Sequence, residues 1–81
     1  MSDLRHKHIF VNLLHGKTIS DVRYMTTEEA SELGWHSRPL VIFFSDGTQL
    51  FPMRDDEGND GGAMHYSHDD LMATIYTLRN D

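Results

Sequence analysis

No cysteine occurs among the 81 residues. That absence excludes disulfides, Fe–S clusters, thiolate zinc sites and cysteine nucleophiles. Basic residues are scarce: seven Lys and Arg stand against thirteen Asp and Glu, for a formal net charge of -6. A general nucleic-acid binder shows a basic face, so this balance disfavours that class. Long hydrophobic runs are missing as well. The longest is Leu40-Val41-Ile42-Phe43-Phe44, far short of the ~20 apolar residues that a membrane helix needs. The opening segment, Met1 to His8, is polar and has no apolar stretch of the secretory kind. The chain therefore reads as cytoplasmic, with no membrane partner.

What is present is enough for one fold. Hydrophobic residues make up 38 % of the chain, and the aromatics are one Trp, three Tyr and four Phe. This is not the composition of a disordered chain. Eighty-one residues lie below the ~100–200 typical of a domain, so residues 1–81 are expected to form a single unit. A core of that size is thin. Chains this small add disulfides, a metal or a partner subunit. With disulfides excluded, self-association is the expected remedy.

Punctuation divides the chain. Residues 8–14, His-Ile-Phe-Val-Asn-Leu-Leu, form a short apolar run that fits a strand or a short helix equally well. Residues 18–25 are rich in strand formers, and a bulge near Ser20-Asp21 reconciles Ile19 with Val22 on one face. Thr26 and Glu29 have capping-box spacing, with Met25 and Ala30 as the accompanying staple. Gly34 supplies a C-terminal stop and Pro39 bars any early resumption, so the spacing predicts a two-turn helix over 27–33. Asp46-Gly47 separates two β-rich runs, 40–45 and 48–53. That dipeptide predicts a hairpin closed by a type I′ turn with positive φ at both residues. Leu40 to Phe44 lacks polar alternation and reads as a central strand covered on both faces. Pro52 ends its strand or places it at an edge. Residues 63–67 suit one more strand. Leu71, Ile75 and Leu78 recur at helical spacing, widened by Met72 and Tyr76, and predict an amphipathic helix over 69–79. Thr74 to Thr77 also favour strand. The expected fold is α+β: a small, strongly curved antiparallel sheet with a short helix and a C-terminal helix. The alternative is an SH3-like or Sm-like small barrel.

Several clusters bear on chemistry. Gly16-Lys17-Thr18 has the end of a P-loop, but position 11, where that motif needs Gly, is Val. A plain turn before a strand is the better reading. Asp55, Glu57 and Asn59 alternate as oxygen ligands do in calcium loops. Asp60 stands where an EF-hand has Gly, and Tyr66 where it has Glu. The three Gly at 58, 61 and 62 suit a tight connection, and Asp and Asn side chains can tie down their own backbone there. His65 and His68, with Asp69 and Asp70 adjacent, are candidate Zn²⁺ or Ni²⁺ ligands if they share a helical turn. Asp55, Glu57, Asn59, His65 and His68 are thus the candidate metal ligands, and they support a metal-dependent hydrolase as a third reading. Trp35, Arg38 and Arg54 could form a stacking and phosphate-contact patch for single-stranded RNA or DNA; this is the second reading. Neighbouring aspartates on extended chain point to opposite sides, and solvated loops do not split their pKa values. No catalytic residue is nominated and no cofactor is expected. The first reading is a small non-enzymatic module that self-associates and binds another protein.

The order Gly16-Lys17-Thr18-Ile19, Val22 to Ala30, Leu33-Gly34-Trp35, Arg38 to Ile42, Asp46-Gly47-Thr48 and Asp55 to Met64 resembles a group of short bacterial and phage proteins. In that group a hairpin leads into a similar acidic, Gly-rich segment. The resemblance implies a compact single-domain protein and no particular chemistry. Leu14 to Ile19 is also similar to the start of the first motif of Sm-like RNA-binding proteins, but Asp21 stands where that motif has Gly. Nothing like their second motif occurs after residue 50.

Overall fold

A computed structural model describes the backbone of residues 3–80, with side chains from His8 onward. Met1 and Ser2, the start of the polar opening segment, lie outside the described residues. The apolar run at 8–14 belongs to helix α1, Asp3–Leu14. It ends in the turn at His15-Gly16, where the His15 amide still bonds to the Val11 carbonyl at 2.9 Å. The chain then enters strand β1, Ile19–Tyr24, and helix α2, Thr27–Glu32. Strands β2 (Ser37–Arg38), β3 (Leu40–Phe44) and β4 (Gln49–Leu50) come next. Strands β5 (Met64–His68), β6 (Leu71–Ile75) and β7 (Leu78–Arg79) complete the chain.

The strands form three small antiparallel sheets, ordered β1-β3-β4, β2-β7 and β5-β6. This corrects the expectation of one strongly curved sheet. It also removes the SH3-like or Sm-like alternative, because the sheets do not close into a barrel. The expected C-terminal helix is absent: residues 71–75 pair with β5 and residues 78–79 pair with β2. Asp69 explains the outcome. It adopts a positive φ of 51°, as the first loop residue of a primed hairpin turn does. Asp tolerates that conformation better than most residues. The two-residue loop Asp69-Asp70 therefore folds the chain back on itself before a helix can start. The β-branched Thr74 and Ile75 then favour the extended form.

Local signals elsewhere act as their spacing suggests. The Thr26 hydroxyl accepts from the Glu29 amide at 3.1 Å, and a Glu29 carboxylate oxygen accepts from the Thr26 amide at 2.8 Å. Helix α2 ends in a Schellman arrangement, with the Trp35 amide on the Ala30 carbonyl at 2.9 Å and the Gly34 amide on Ser31 at 3.0 Å. That geometry needs the left-handed φ of 74° at Gly34, which costs glycine nothing. The bulge falls between Ile19 and Asp21. Strand β3 is central in its sheet, but only Val41 is buried; Leu40, Ile42, Phe43 and Phe44 are half-buried. The hairpin at Asp46-Gly47 forms, but not with a type I′ turn. Gly47 has φ 91° while Asp46 does not have positive φ, and the Gly47 amide closes a turn onto the Phe44 carbonyl at 3.0 Å. The loop is longer than two residues, of the kind that ends in a glycine bulge.

The core is Met25, Ala30, Trp35 and Val41, with Phe43 and Phe51 packed against it. Pro39 is the largest fully buried side chain. Trp35 and Phe51 meet edge to face, with centroids 5.8 Å apart. The Arg23 guanidinium lies 4.7 Å above the Phe43 ring, a cation–π contact that covers one side of this small core. No helix among the described residues is long and apolar enough to cross a membrane.

Candidate functional site

The acidic loop is built around Asp55 and Asp60, which do different work. Asp55 folds the loop onto itself. One of its oxygens accepts from the Glu57 amide at 3.0 Å, and the other accepts from the Asn59 side-chain amide at 3.1 Å. The Asn59 bond is the main reason its pKa lies below the ordinary value. Its carboxylate is thus engaged by donors of its own loop. Asp60 reaches out of the loop and is buried, at 9 % exposure. One oxygen accepts from the amides of Ser37 at 2.9 Å, His36 at 3.1 Å and Gly61 at 2.8 Å. Burial opposes ionisation of Asp60, but those amides outweigh it and hold its pKa below the ordinary value. The charge stays ionised because it is hydrogen-bonded, as a buried carboxylate must be.

Two further ties fix this loop. The Trp35 indole N–H donates to the Gly58 carbonyl at 2.8 Å. Gly61 lies so close to Pro39 that a Cβ there would stand 2.6 Å from the proline Cδ. The segment from 55 to 62 is therefore a structural clasp that closes over Trp35 and Pro39. Asp60 holds this clasp to the residues that follow α2. Its partners lie 23 and 24 residues away, and no local pattern announces such a contact.

The candidate metal ligands are not gathered. Asp55, Glu57 and Asn59 sit in the clasp, whereas His65 and His68 lie on exposed strand β5. Those two imidazoles are an odd number of residues apart, so a strand sends them to opposite faces. Among the described residues, no three His, Asp or Glu stand together in a way that could hold a metal ion. The nucleic-acid set lacks an open stacking platform. Trp35 is 5 % exposed and offers no ring face for stacking. The Arg38 Nε donates to the Arg79 carbonyl at 3.4 Å. Arg54 is exposed, 3.7 Å from Asp55. Lys17, from the P-loop-like triplet, forms an ion pair with Asp46 and pins the β3–β4 turn to the start of β1. That contact is the largest reason the Asp46 pKa is depressed.

What the structure does expose is apolar surface. On α1, Ile9, Val11 and Leu13 are 44, 59 and 54 % exposed. Toward the other end of the chain, Leu71, Met72 and Tyr76 are 58, 70 and 72 % exposed. Between α1 and β4 runs a groove of about 210 Å³, lined by Leu13, Leu14, Leu50 and the stem of Lys17 among others. That is below the ~300 Å³ of the smallest usual ligand pockets. Comparison with known proteins identifies no relative: no family model, curated protein or solved structure matches the chain.

Proposed function

We propose that the chain is a small non-enzymatic binding module that associates with itself and with another protein. The observation that carries this reading is the imbalance between buried and exposed apolar side chains. Among the described residues, four hydrophobic side chains form the buried core, while large ones such as Ile9, Val22, Leu71, Met72 and Tyr76 stand in solvent. The accessible surface is 6348 Å², against roughly 5,000 Å² for a compact monomer of this mass. The excess exposed surface and the small core leave apolar burial to be gained by association. Covering that surface supplies the burial that the small core lacks.

Sedimentation velocity across a dilution series tests the proposal. The average mass is expected to rise with concentration in the micromolar range. A folded monomer at every concentration would contradict the self-association half of the reading.

A further inference from the structure

Strand pairing leaves several open edges, and the sequence treats them differently. Strand β1 carries Asp21, Arg23 and the bulge after Ile19. Strand β4 is two residues long, and Pro52 stands just beyond it. Charges, bulges, short strands and prolines are how proteins blunt an edge against further pairing. Strand β6 has none of these. Its five residues, Leu71-Met72-Ala73-Thr74-Ile75, are uncharged, regular and free of proline. Among the described residues it pairs with β5 alone, and a two-stranded hairpin is only marginally stable in water.

The hairpin register shows what the open edge offers. His68 and Leu71 flank the two-residue loop, and Tyr66 faces Ala73 and Met64 faces Ile75. In such a hairpin the flanking pair exchanges both backbone bonds, and bonded pairs alternate from there. The backbone groups of residues 71, 73 and 75 therefore turn toward β5. Those of Met72 and Thr74 turn outward to the open edge.

We infer that β6 pairs antiparallel with β6 of a second copy, about a two-fold axis at Ala73, to make a four-stranded sheet. This rests on the self-association proposed above and names the surface responsible. In this register Met72 of each copy exchanges both backbone bonds with Thr74 of the other. Ala73 faces itself as a non-bonded pair, the closest approach in an antiparallel ladder, where a small side chain fits best. Leu71 comes to lie beside Ile75 of the other copy, on the same face as Tyr66. An edge that pairs with itself brings the residue on the axis, here Ala73, directly opposite its own copy. It tolerates no charge at the centre, and β6 carries none. The same uncharged strand on both sides of the axis sets Ala73 against itself and Leu71 against Ile75, so a second copy is complementary to this edge along its whole length. That is why a second copy is the occupant this edge fits.

Sedimentation of the full chain, its Ala73→Lys and Ala73→Glu variants, and their equimolar mixture tests the inference. Position 73 is exposed, so each variant is expected to keep the melting curve of the dilute protein. Each alone should weaken dimerisation by about tenfold or more, as like charges meet at the axis. The mixture should recover dimer, because Lys then faces Glu. Thr74→Pro serves as a second variant. It removes an outward amide without touching the β5 ladder, and it should weaken the dimer too. A parent protein that dimerises while all three variants dimerise equally would overturn the β6 interface and leave self-association standing. A parent protein that stays monomeric would overturn both.

Discussion

The clasp over Trp35 and the β5–β6 hairpin are built on opposite principles. Around Trp35, segments from α2, β3 and the loop at 55–62 converge on one small core. Asp60 answers buried polar groups there from within the chain, while the Asn80 Oδ1 beside Trp35 is buried without a hydrogen-bond partner. The hairpin has a regular ladder but leaves Tyr66, Leu71 and Met72 in solvent. A chain of 81 residues concentrates its limited burial in one place. Backbone order and apolar burial do not coincide in this chain. Where they part, the ordered but unburied element is the one available to a partner.

Substitutions in the two regions are expected to differ widely in cost. Trp35→Ala should cost the most, about 3–5 kcal/mol, because it empties the centre of the core. Asp60→Ala comes next. It leaves the part-buried amides of His36 and Ser37 without their acceptor, at about 2 kcal/mol together. Thr26→Ala removes one half of the capping box and should cost about 1 kcal/mol. Leu71→Ser, measured on dilute protein, should change stability by no more than about 0.5 kcal/mol, since its side chain packs on little. Urea denaturation of the four variants at low concentration checks the order. A large loss from Leu71→Ser in dilute solution would break the contrast at its weaker end.

Acid should act on the clasp side. Glu29 is held at about 2, chiefly by its hydrogen bonds with Arg23 and then by the Thr26 amide. Asp55 and Asp60 also lie below their ordinary value. Groups depressed in the folded state contribute stability above their unfolded pKa and lose it as pH falls through the folded value. Stability is therefore expected to hold above pH ~4.5 and to fall between there and pH ~2. Denaturation midpoints that stay constant from pH 5 to pH 2.5 would contradict the role given to these carboxylates.

How much of this the sequence discloses depends on distance along the chain. The capping box, the bulge before Asp21 and the break at Gly34 are local, and each is legible in a few residues. The hairpin at Asp46-Gly47 is legible in position, but its turn type depends on how many loop residues the ladder leaves unpaired. Residues 69–79 mislead because Leu71, Ile75 and Leu78 satisfy a helical period while Thr74 and Ile75 prefer strand. Asp69 breaks the tie, and no spacing rule reveals its positive φ. The clasp is legible as an acidic Gly-rich turn, yet its purpose is not. Asp60 acts on His36 and Ser37, far away in sequence, and Trp35 is buried beneath the loop and withdrawn from any stacking role.

The outward backbone of β6 is where the contrast is most exposed to test. Amide hydrogen exchange at Met72 and Thr74, followed in dilute and in concentrated protein, reads it directly. Both amides are predicted to exchange rapidly when the protein is dilute and to gain marked protection when it is concentrated, with Ala73 protected by β5 in both. Equal exchange of Met72 and Thr74 at the two concentrations would contradict the pairing of β6 with a second copy.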